Sequence, residues 1–128
     1  MRALLDTHTF IWWNMGIPDL SQTARDFIGD ENNEIYLSAV SAWEIAIKYR
    51  KGKLTLPEPP KTYVESRAEF EGFIQMPILF KHTIAIGELP NIHNDPFDHL
   101  LMAQSLVEGM PLISADSHIQ QYPIDIIR

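Results

Sequence analysis

The chain begins with MRALLD at residues 1–6, a short apolar run that ends in an acid. Residues 3–5 are predicted to form a buried strand, which places Asp6 at its carboxyl end. In open parallel α/β sheets, ligands bind just outside the carboxyl ends of the strands. Asp6 is therefore either the N-cap of the following helix, with Thr7 as the other candidate cap, or part of a functional site. The cap is the more common role for such an Asp.

Short apolar runs and helical patterns alternate along the rest of the chain. Further strands are predicted at residues 35–37, 73–76, 111–114 and 124–127, the last of them at the sheet edge. Helices are predicted at residues 9–15, 22–29, 39–51, 62–70, 80–88 and 96–108. This alternation is typical of βαβ units, so we expect an α/β fold with a parallel sheet.

Length and composition indicate one domain over residues 1–128, because 45% apolar residues can build a proper core. The chain has no cysteine, which excludes a disulfide framework and thiolate metal sites and fits a reducing cytoplasm. The first residues do not resemble a signal peptide, and no apolar stretch approaches the ~20 residues of a membrane span. We therefore expect a cytoplasmic protein that does not contact a membrane.

The formal net charge of −7 argues against a general nucleic-acid coat protein, which would normally be basic. It does not exclude a nuclease, because clustered carboxylates bind divalent cations that reverse the local charge. An acidic surface also suits a basic protein partner.

Four acidic residues adjoin apolar segments that are predicted to be buried, and an unpaired buried charge is costly. These residues are Asp6, Glu44, Asp98 and Asp116. Carboxylate oxygens, without cysteine or paired histidines, suit Mg²⁺ or Mn²⁺ rather than zinc. Such ions can activate water and stabilise charge on a phosphate, so the pattern favours metal-dependent phosphodiester chemistry.

Each of these acids also has a structural interpretation. Glu44 can pair with Lys48 at i+4 in the favourable order. Asp98 can complete an imperfect capping box with Asp95, the predicted N-cap of its helix. Asp116 can cap the turn that follows it.

Four segments, LLDTH (residues 4–8), SAWEIAIK (41–48), HNDPFDHLL (93–101) and LISAD (112–116), resemble the four blocks of PIN-domain ribonucleases. The similarity is greatest to VapC-like toxins of toxin–antitoxin pairs, and it spans nearly the whole chain in the expected order. The resemblance implies a PIN-like three-layer α/β/α sandwich with a central, mostly parallel sheet of four to five short strands.

The resemblance also implies a function. Asp6, Glu44, Asp98 and Asp116 would surround one or two Mg²⁺ or Mn²⁺ ions, and metal-activated water would cut RNA. Asp95 would cap its helix and support these ligands, and Thr7 and Ser114 are candidates for a hydroxyl near the metal. Such proteins commonly form homodimers and are inhibited by a cognate antitoxin, whose tail fills the groove.

One position departs from the block Asp-Pro-Phe-Asp-Arg that is usual in this subgroup, because His99 stands in place of the Arg. The departure puts a phosphate contact in question, since His pairs with an anion only when protonated. Alternatively, His99 points to solvent. His93 is a candidate general acid or substrate contact, or a loop residue with a structural hydrogen bond. Lys48 and the basic residues that follow it up to residue 53 could hold phosphates or form a solvated helix end.

Two other functions are compatible with parts of the pattern. A PIN-like domain that no longer cuts could act as a protein-binding module, although all four acids are intact. A metal-dependent phosphatase of the haloacid-dehalogenase type would need Asp-x-Asp after the first strand, and the second acid is missing here. A partner surface is expected at Phe10, Trp12, Trp13 and Met15.

Overall fold

The computed structural model describes residues 1–128 and contains one sheet of five strands. The strands are β1 (Arg2–Leu5), β2 (Glu34–Ser38), β3 (Ile74–Met76), β4 (Leu112–Ile113) and β5 (Ile126–Ile127). Their order is β3-β2-β1-β4-β5, and all four neighbouring pairs are parallel. The predicted α/β fold with a central parallel sheet is confirmed. The strand formed by the opening residues is the central one.

Six α-helices connect the strands: α1 (Thr7–Met15), α2 (Gln22–Gly29), α3 (Ala39–Arg50), α4 (Pro60–Glu71), α5 (Phe80–Ala85) and α6 (Pro96–Glu108). The predicted bounds of α2 and α6 are confirmed. The predicted helix at residues 80–88 is instead α5 followed by a 3₁₀ turn, Ile86–Glu88. No helix has both the length and the apolar character that crossing a bilayer requires.

The sheet separates two hydrophobic clusters. Ala3 and Leu5 point into one cluster, while Leu4 between them points into the other. Successive strand residues face opposite sides, so a strand that is apolar throughout must be covered on both faces. For this reason the apolar residues of MRALLD are consecutive and do not alternate with polar ones.

The partner surface predicted at the end of α1 needs one correction. Phe10 is completely buried in the cluster around Ala3 and Leu5, so it is a core residue. Trp12 and Trp13 are partly buried and pack against the same cluster, while Met15 is exposed. The apolar pattern alone could not separate a core face from a partner face in such a short helix.

A fully buried amide connects the sheet to α6. The Oε1 atom of Gln104 accepts a hydrogen bond from the Ser38 hydroxyl, which itself caps α3 by accepting the N–H of Val40. The Nε2 atom of Gln104 donates to the carbonyl of Pro77 at 3.2 Å. Gln104 therefore joins the carboxyl ends of β2 and β3 to α6.

We expect Gln104→Leu to lower the free energy of unfolding by about 1–3 kcal/mol, because it leaves Ser38 and the Pro77 carbonyl without their partner. The matched control is Gln120→Leu, since the buried Nε2 of Gln120 already lacks a partner. Urea denaturation of both variants provides the measurement. Equal stability of the two variants would contradict a structural role for the Gln104 hydrogen bonds.

Candidate active site

The carboxyl ends of β1 and β4 meet at one edge of the sheet, where Leu5 is in register with Ile113. Asp6 directly follows β1, and Asp116 lies three residues after β4. Both carboxylates line a cavity of about 220 Å³, together with His8, Thr9, Trp12 and Ala115. The topology thus brings together two acids that are far apart in the sequence.

Asp6 is both a helix cap and a buried acid. Its Oδ1 atom accepts the N–H of Thr9 at 2.7 Å, which fixes the start of α1. Burial raises the pKa of Asp6, and hydrogen bonds from Ser114 and Thr9 oppose this rise. The two interpretations considered for Asp6 are therefore compatible, since capping occupies Oδ1 and a second oxygen remains.

The two hydroxyl candidates differ in their surroundings. The Ser114 side chain lies close enough to Asp6 to lower the pKa of that carboxyl, and its Oγ accepts the backbone N–H of Asp116 at 3.1 Å. Ser114 therefore bridges two of the acids. Thr7 instead donates to the Ser41 hydroxyl at 3.0 Å, a buried contact that ties α1 to α3.

Glu44 is buried on α3, with its side chain 3% exposed. Its Oε2 atom is paired with the ammonium of Lys48, the i+4 partner that the sequence indicated. Its Oε1 atom is buried and has no hydrogen-bond partner. An unsatisfied carboxylate oxygen in the interior is costly, so it is a strong indication of a missing cation or donor.

Asp98 lies in the first turn of α6, where Asp95 is the N-cap and accepts the backbone N–H groups of Phe97 and Asp98. Burial raises the pKa of Asp98 to about 6. A hydrogen bond from Nε2 of His93, at 3.1 Å from Oδ2, counteracts this rise.

Three other carboxylates also raise the pKa of Asp98. They are Asp95, Asp116 and Glu44, and each repels the ionised form of Asp98. Asp116 therefore belongs both to the cavity that contains Asp6 and to the group around Asp98. The four predicted acids form one connected cluster of negative charge.

Each acid in this cluster is held by a donor of its own. Thr9 holds Asp6, Lys48 holds Glu44, His93 holds Asp98, and the backbone N–H of His118 donates to Asp116 at 2.8 Å. As they stand, no three acidic or histidine side chains are arranged to ligate one ion.

The donor chemistry nevertheless fits a hard divalent cation. All four side chains offer only oxygen atoms, which Mg²⁺ and Mn²⁺ prefer, and one of these atoms, Oε1 of Glu44, is buried without a partner. A cation at this point would satisfy that oxygen and reduce the mutual repulsion of the acids.

Four rings, His93, His99, His118 and Tyr122, pack together beside Asp98 and Asp116 and are called the ring cluster below. The His93 ring lies edge-on to His99 at 5.0 Å and to Tyr122 at 5.4 Å, and is stacked on His118 at 5.7 Å. His99 is half-buried, with Nε2 at 3.3 Å from the Tyr122 hydroxyl, so it does not point to solvent.

Tyr122 was not identified from the sequence. It follows the 3₁₀ turn Ile119–Gln121, and its partners lie 23 to 30 residues earlier in the chain. No local pattern marks it. The only available signal was the apolar environment of a Tyr next to a short terminal strand.

Beyond Lys48, the basic run at the end of α3 is solvated. Arg50, Lys51 and Lys53 are exposed, whereas Lys48 is half-buried by its contact with Glu44. The run therefore begins at the acid cluster and continues across the surface.

Comparison with known proteins gives three similarities. The model of the PIN domain family matches residues 3–125. The chain is 45% identical over 65 residues to ribonuclease VapC16 of Mycobacterium tuberculosis, and this alignment spans only 51% of the chain and 46% of that protein. It is 24% identical to ribonuclease VapC22 of the same organism over 94% of the chain and 91% of that protein.

Among solved structures, the fold is similar to that of VapBC2 from Rickettsia felis, crystallised with a DNA fragment from its promoter. The TM-score is 0.73, the identity is 14%, and the match covers 99% of this chain and 98% of that one. At this identity the similarity supports the fold.

We expect Asp6→Asn to leave the melting temperature unchanged or raised. Asn keeps an oxygen that can cap α1, while the buried charge disappears. Because the pKa of Asp6 is raised on folding, its ionisation destabilises the fold at neutral pH. This cost declines as the pH falls below the raised pKa and is gone below the pKa of the unfolded chain, so the advantage of Asn should shrink in acid.

Thermal unfolding of the metal-free proteins at neutral and acidic pH provides this measurement. Asp6→Ala is the matched control, because it also removes the charge but loses the cap. The free energy of unfolding of Asp6→Ala should be about 1 kcal/mol lower than that of Asp6→Asn. If Asp6→Asn is as unstable as Asp6→Ala, the cap does not contribute in the way described.

Lys48→Ala should lower the free energy of unfolding by about 1–3 kcal/mol, since it leaves both oxygens of the buried Glu44 carboxylate without a donor. Adding Glu44→Gln should restore part of the loss, because a neutral amide is less costly to bury. Lys51→Ala, an exposed cation on the same helix end, is the control in urea denaturation. Equal effects of Lys48→Ala and Lys51→Ala would exclude a stabilising pair.

Proposed function

The chain belongs to the PIN domain family, and from this we propose that residues 1–128 form a single PIN domain that acts as a metal-dependent endoribonuclease. The observation that carries the proposal is the buried, partner-less Oε1 atom of Glu44 within a connected cluster of carboxylates. A carboxylate oxygen costs more to leave unsatisfied than a neutral amide such as that of Gln120, so this oxygen indicates a partner that the chain does not supply. VapC16 and VapC22, which this chain resembles, are named as ribonucleases.

The residues that would hold one or two Mg²⁺ or Mn²⁺ ions are Asp6, Glu44, Asp98 and Asp116. When bound, such an ion supplies an activated water and stabilises negative charge on the phosphate undergoing attack. Asp95 supports the site by fixing the first turn of α6 and thereby the position of Asp98. Ser114 orients two of the ligands, because it contacts both Asp6 and Asp116.

Substrate binding is assigned to the basic residues in the last turn of α3 and just after it. The Lys48 ammonium lies at the acid cluster and can turn from Glu44 to a phosphate oxygen. Arg50, Lys51 and Lys53 are exposed and can bind further phosphates of an RNA strand. The chain as a whole has a net charge of −7, so this basic run would attract a polyanion such as RNA to the surface beside the acid cluster.

We also propose that the protein is the toxin of a toxin–antitoxin pair, acting as a homodimer in the cytoplasm. The supporting observation is the shared fold with VapBC2 and other VapBC structures. A cognate antitoxin would inhibit it by covering the acid cluster. The partly exposed Trp12 and Trp13 and the exposed Met15 remain candidates for a partner surface.

The alternative, a PIN-like module that binds protein without cutting RNA, makes a different prediction about metal. Such a module has no need for Mg²⁺ or Mn²⁺, and its acids would be expected to have complete sets of internal partners. Glu44 lacks one. Calorimetric titration with Mn²⁺ therefore separates the two functions even when no RNA target has been found.

The test of the proposed activity is cleavage of a mixed RNA pool with Mg²⁺, with Mn²⁺ and with EDTA. We expect cleavage only with metal, and a fall of at least about 100-fold in Asp6→Asn and in Asp116→Asn, which each lose a charged oxygen. Asp19→Asn, a change of the same kind in an exposed loop, should cut at the wild-type rate.

Cleavage at equal rates by the wild type and Asp6→Asn would identify a contaminating nuclease and remove Asp6 from the mechanism. The absence of both cleavage and Mn²⁺ binding would refute the nuclease and leave the binding module. Mn²⁺ binding without cleavage would indicate a target missing from the pool, and a pool of structured RNAs would then be tested.

A further inference from the structure

The hydroxyl of Tyr122 is the meeting point of four polar groups. Tyr122 is 4% exposed, and its oxygen lies 3.2 Å from the backbone N–H of Ile92 and 3.1 Å from that of His93. The same oxygen lies 2.8 Å from Nδ1 of His93 and 3.3 Å from Nε2 of His99. A single buried atom thus connects the end of the chain to the loop before α6 and to α6 itself.

Counting hydrogens determines the direction of these bonds. A Tyr hydroxyl has one hydrogen to donate and two lone pairs. Both backbone N–H groups can only donate, so they occupy the lone pairs. The hydroxyl hydrogen then has two possible acceptors, and Nδ1 of His93 is the nearer at 2.8 Å. With Nδ1 acting as an acceptor, the ring hydrogen of His93 lies on Nε2.

The hydrogen on Nε2 points at an acid of the site. Nε2 of His93 is 3.1 Å from Oδ2 of Asp98, which therefore receives a donated hydrogen bond. We propose that Tyr122 is a positioning residue, which fixes the ring hydrogen of His93 on Nε2 and through it holds one oxygen of Asp98. The other oxygen of Asp98 is left for a ligand.

The arrangement matters because Asp98 is surrounded by like charge. Asp95, Asp116 and Glu44 all repel its ionised form. Without a donor on Oδ2, the carboxylate would be free to turn away from its neighbours. Groups that orient a ligand through a His typically change metal affinity by about 10–100-fold when they are removed.

The same arrangement explains the position of His99. Its Nε2 atom lies against the Tyr122 hydroxyl, and its ring packs edge-on against His93. His118 stacks on His93, and its backbone N–H donates to Asp116. His99 therefore supports the Tyr122–His93 pair from within the ring cluster, at the position where an Arg was expected.

A purely structural role is the alternative, in which Tyr122 only anchors the loop through Ile92 and His93. The two roles differ in one readout, the change in the location of the His93 ring hydrogen when Tyr122 is replaced by Phe, because an ionised Asp98 by itself favours a hydrogen on Nε2. Long-range ¹H–¹⁵N NMR of the metal-free wild type, at about pH 8 where a His is normally neutral, identifies the nitrogen that carries it. We expect the Nε2–H form, and a wild type in the Nδ1–H form overturns the proposal.

Mn²⁺ affinity provides the second test, and its interpretation rests on the proposed function. We expect Tyr122→Phe to weaken Mn²⁺ binding about 10-fold and to give a mixture of the two His93 forms. Tyr63→Phe, a change in a buried Tyr outside the site, is the matched control and should leave both readouts unchanged.

A double-mutant cycle separates positioning from loop anchoring. His93→Gln keeps an N–H donor that does not depend on Tyr122, so it should retain Mn²⁺ affinity within about 3-fold. In the His93→Gln background, Tyr122→Phe should then have no further effect on affinity. The same 10-fold loss in both backgrounds would show that Tyr122 acts through the loop and would overturn the proposal.

The outcomes distinguish this inference from the proposed function. A wild type that binds no Mn²⁺ refutes the metal-dependent nuclease, whereas the shift of the His93 ring hydrogen in Tyr122→Phe still confirms or overturns the Tyr122 assignment. If Tyr122→Phe does not fold, a wild type in the Nδ1–H form still overturns the assignment.

Discussion

The burial of several carboxylates at one edge of the sheet is the constraint on which the functional edge of this protein depends. Asp98 has its pKa raised to about 6 by burial and by neighbouring acids. Asp6 lies at the end of the central strand, and burial alone raises its pKa. A fold can maintain such a cluster only if each acid has a donor of its own. Backbone N–H groups, Lys48 and His93 supply these donors.

Parallel strands explain why the acids converge. β1 and β4 are neighbours in the sheet, although Leu5 and its register partner Ile113 lie 108 positions apart in the sequence. The parallel register sets which residues end at the same edge of the sheet. Asp6 directly follows β1, Asp116 lies three residues after β4, and the two acids share one cavity. Helices that begin at this edge add Glu44 and Asp98 to the cluster. The short, doubly covered strands leave little freedom in where the acids lie.

Much of this could be predicted from the sequence because the signals are local. Ser38 and Asp95 cap the helices that follow them, and Gly109 ends α6 with a positive φ. The i+4 spacing of Glu44 and Lys48 indicated their pairing correctly. The ring cluster was not predicted, because Tyr122 meets His93 across 29 residues. Long-range contacts between single polar atoms leave no periodic trace in a sequence.

Gln104 and Glu44 are both buried polar side chains, but they differ in how completely they are hydrogen-bonded. Gln104 has partners for both ends of its amide, and it joins two strands to α6. Glu44 has a partner for only one of its oxygens, although it is almost as deeply buried. A missing hydrogen bond in the interior costs about 1–3 kcal/mol, and the cost is greater for a charged oxygen than for a neutral amide such as that of Gln120. The incomplete set at Glu44 therefore indicates a role that the folded chain does not fulfil by itself, and a divalent cation is the partner that its carboxylate neighbours would share.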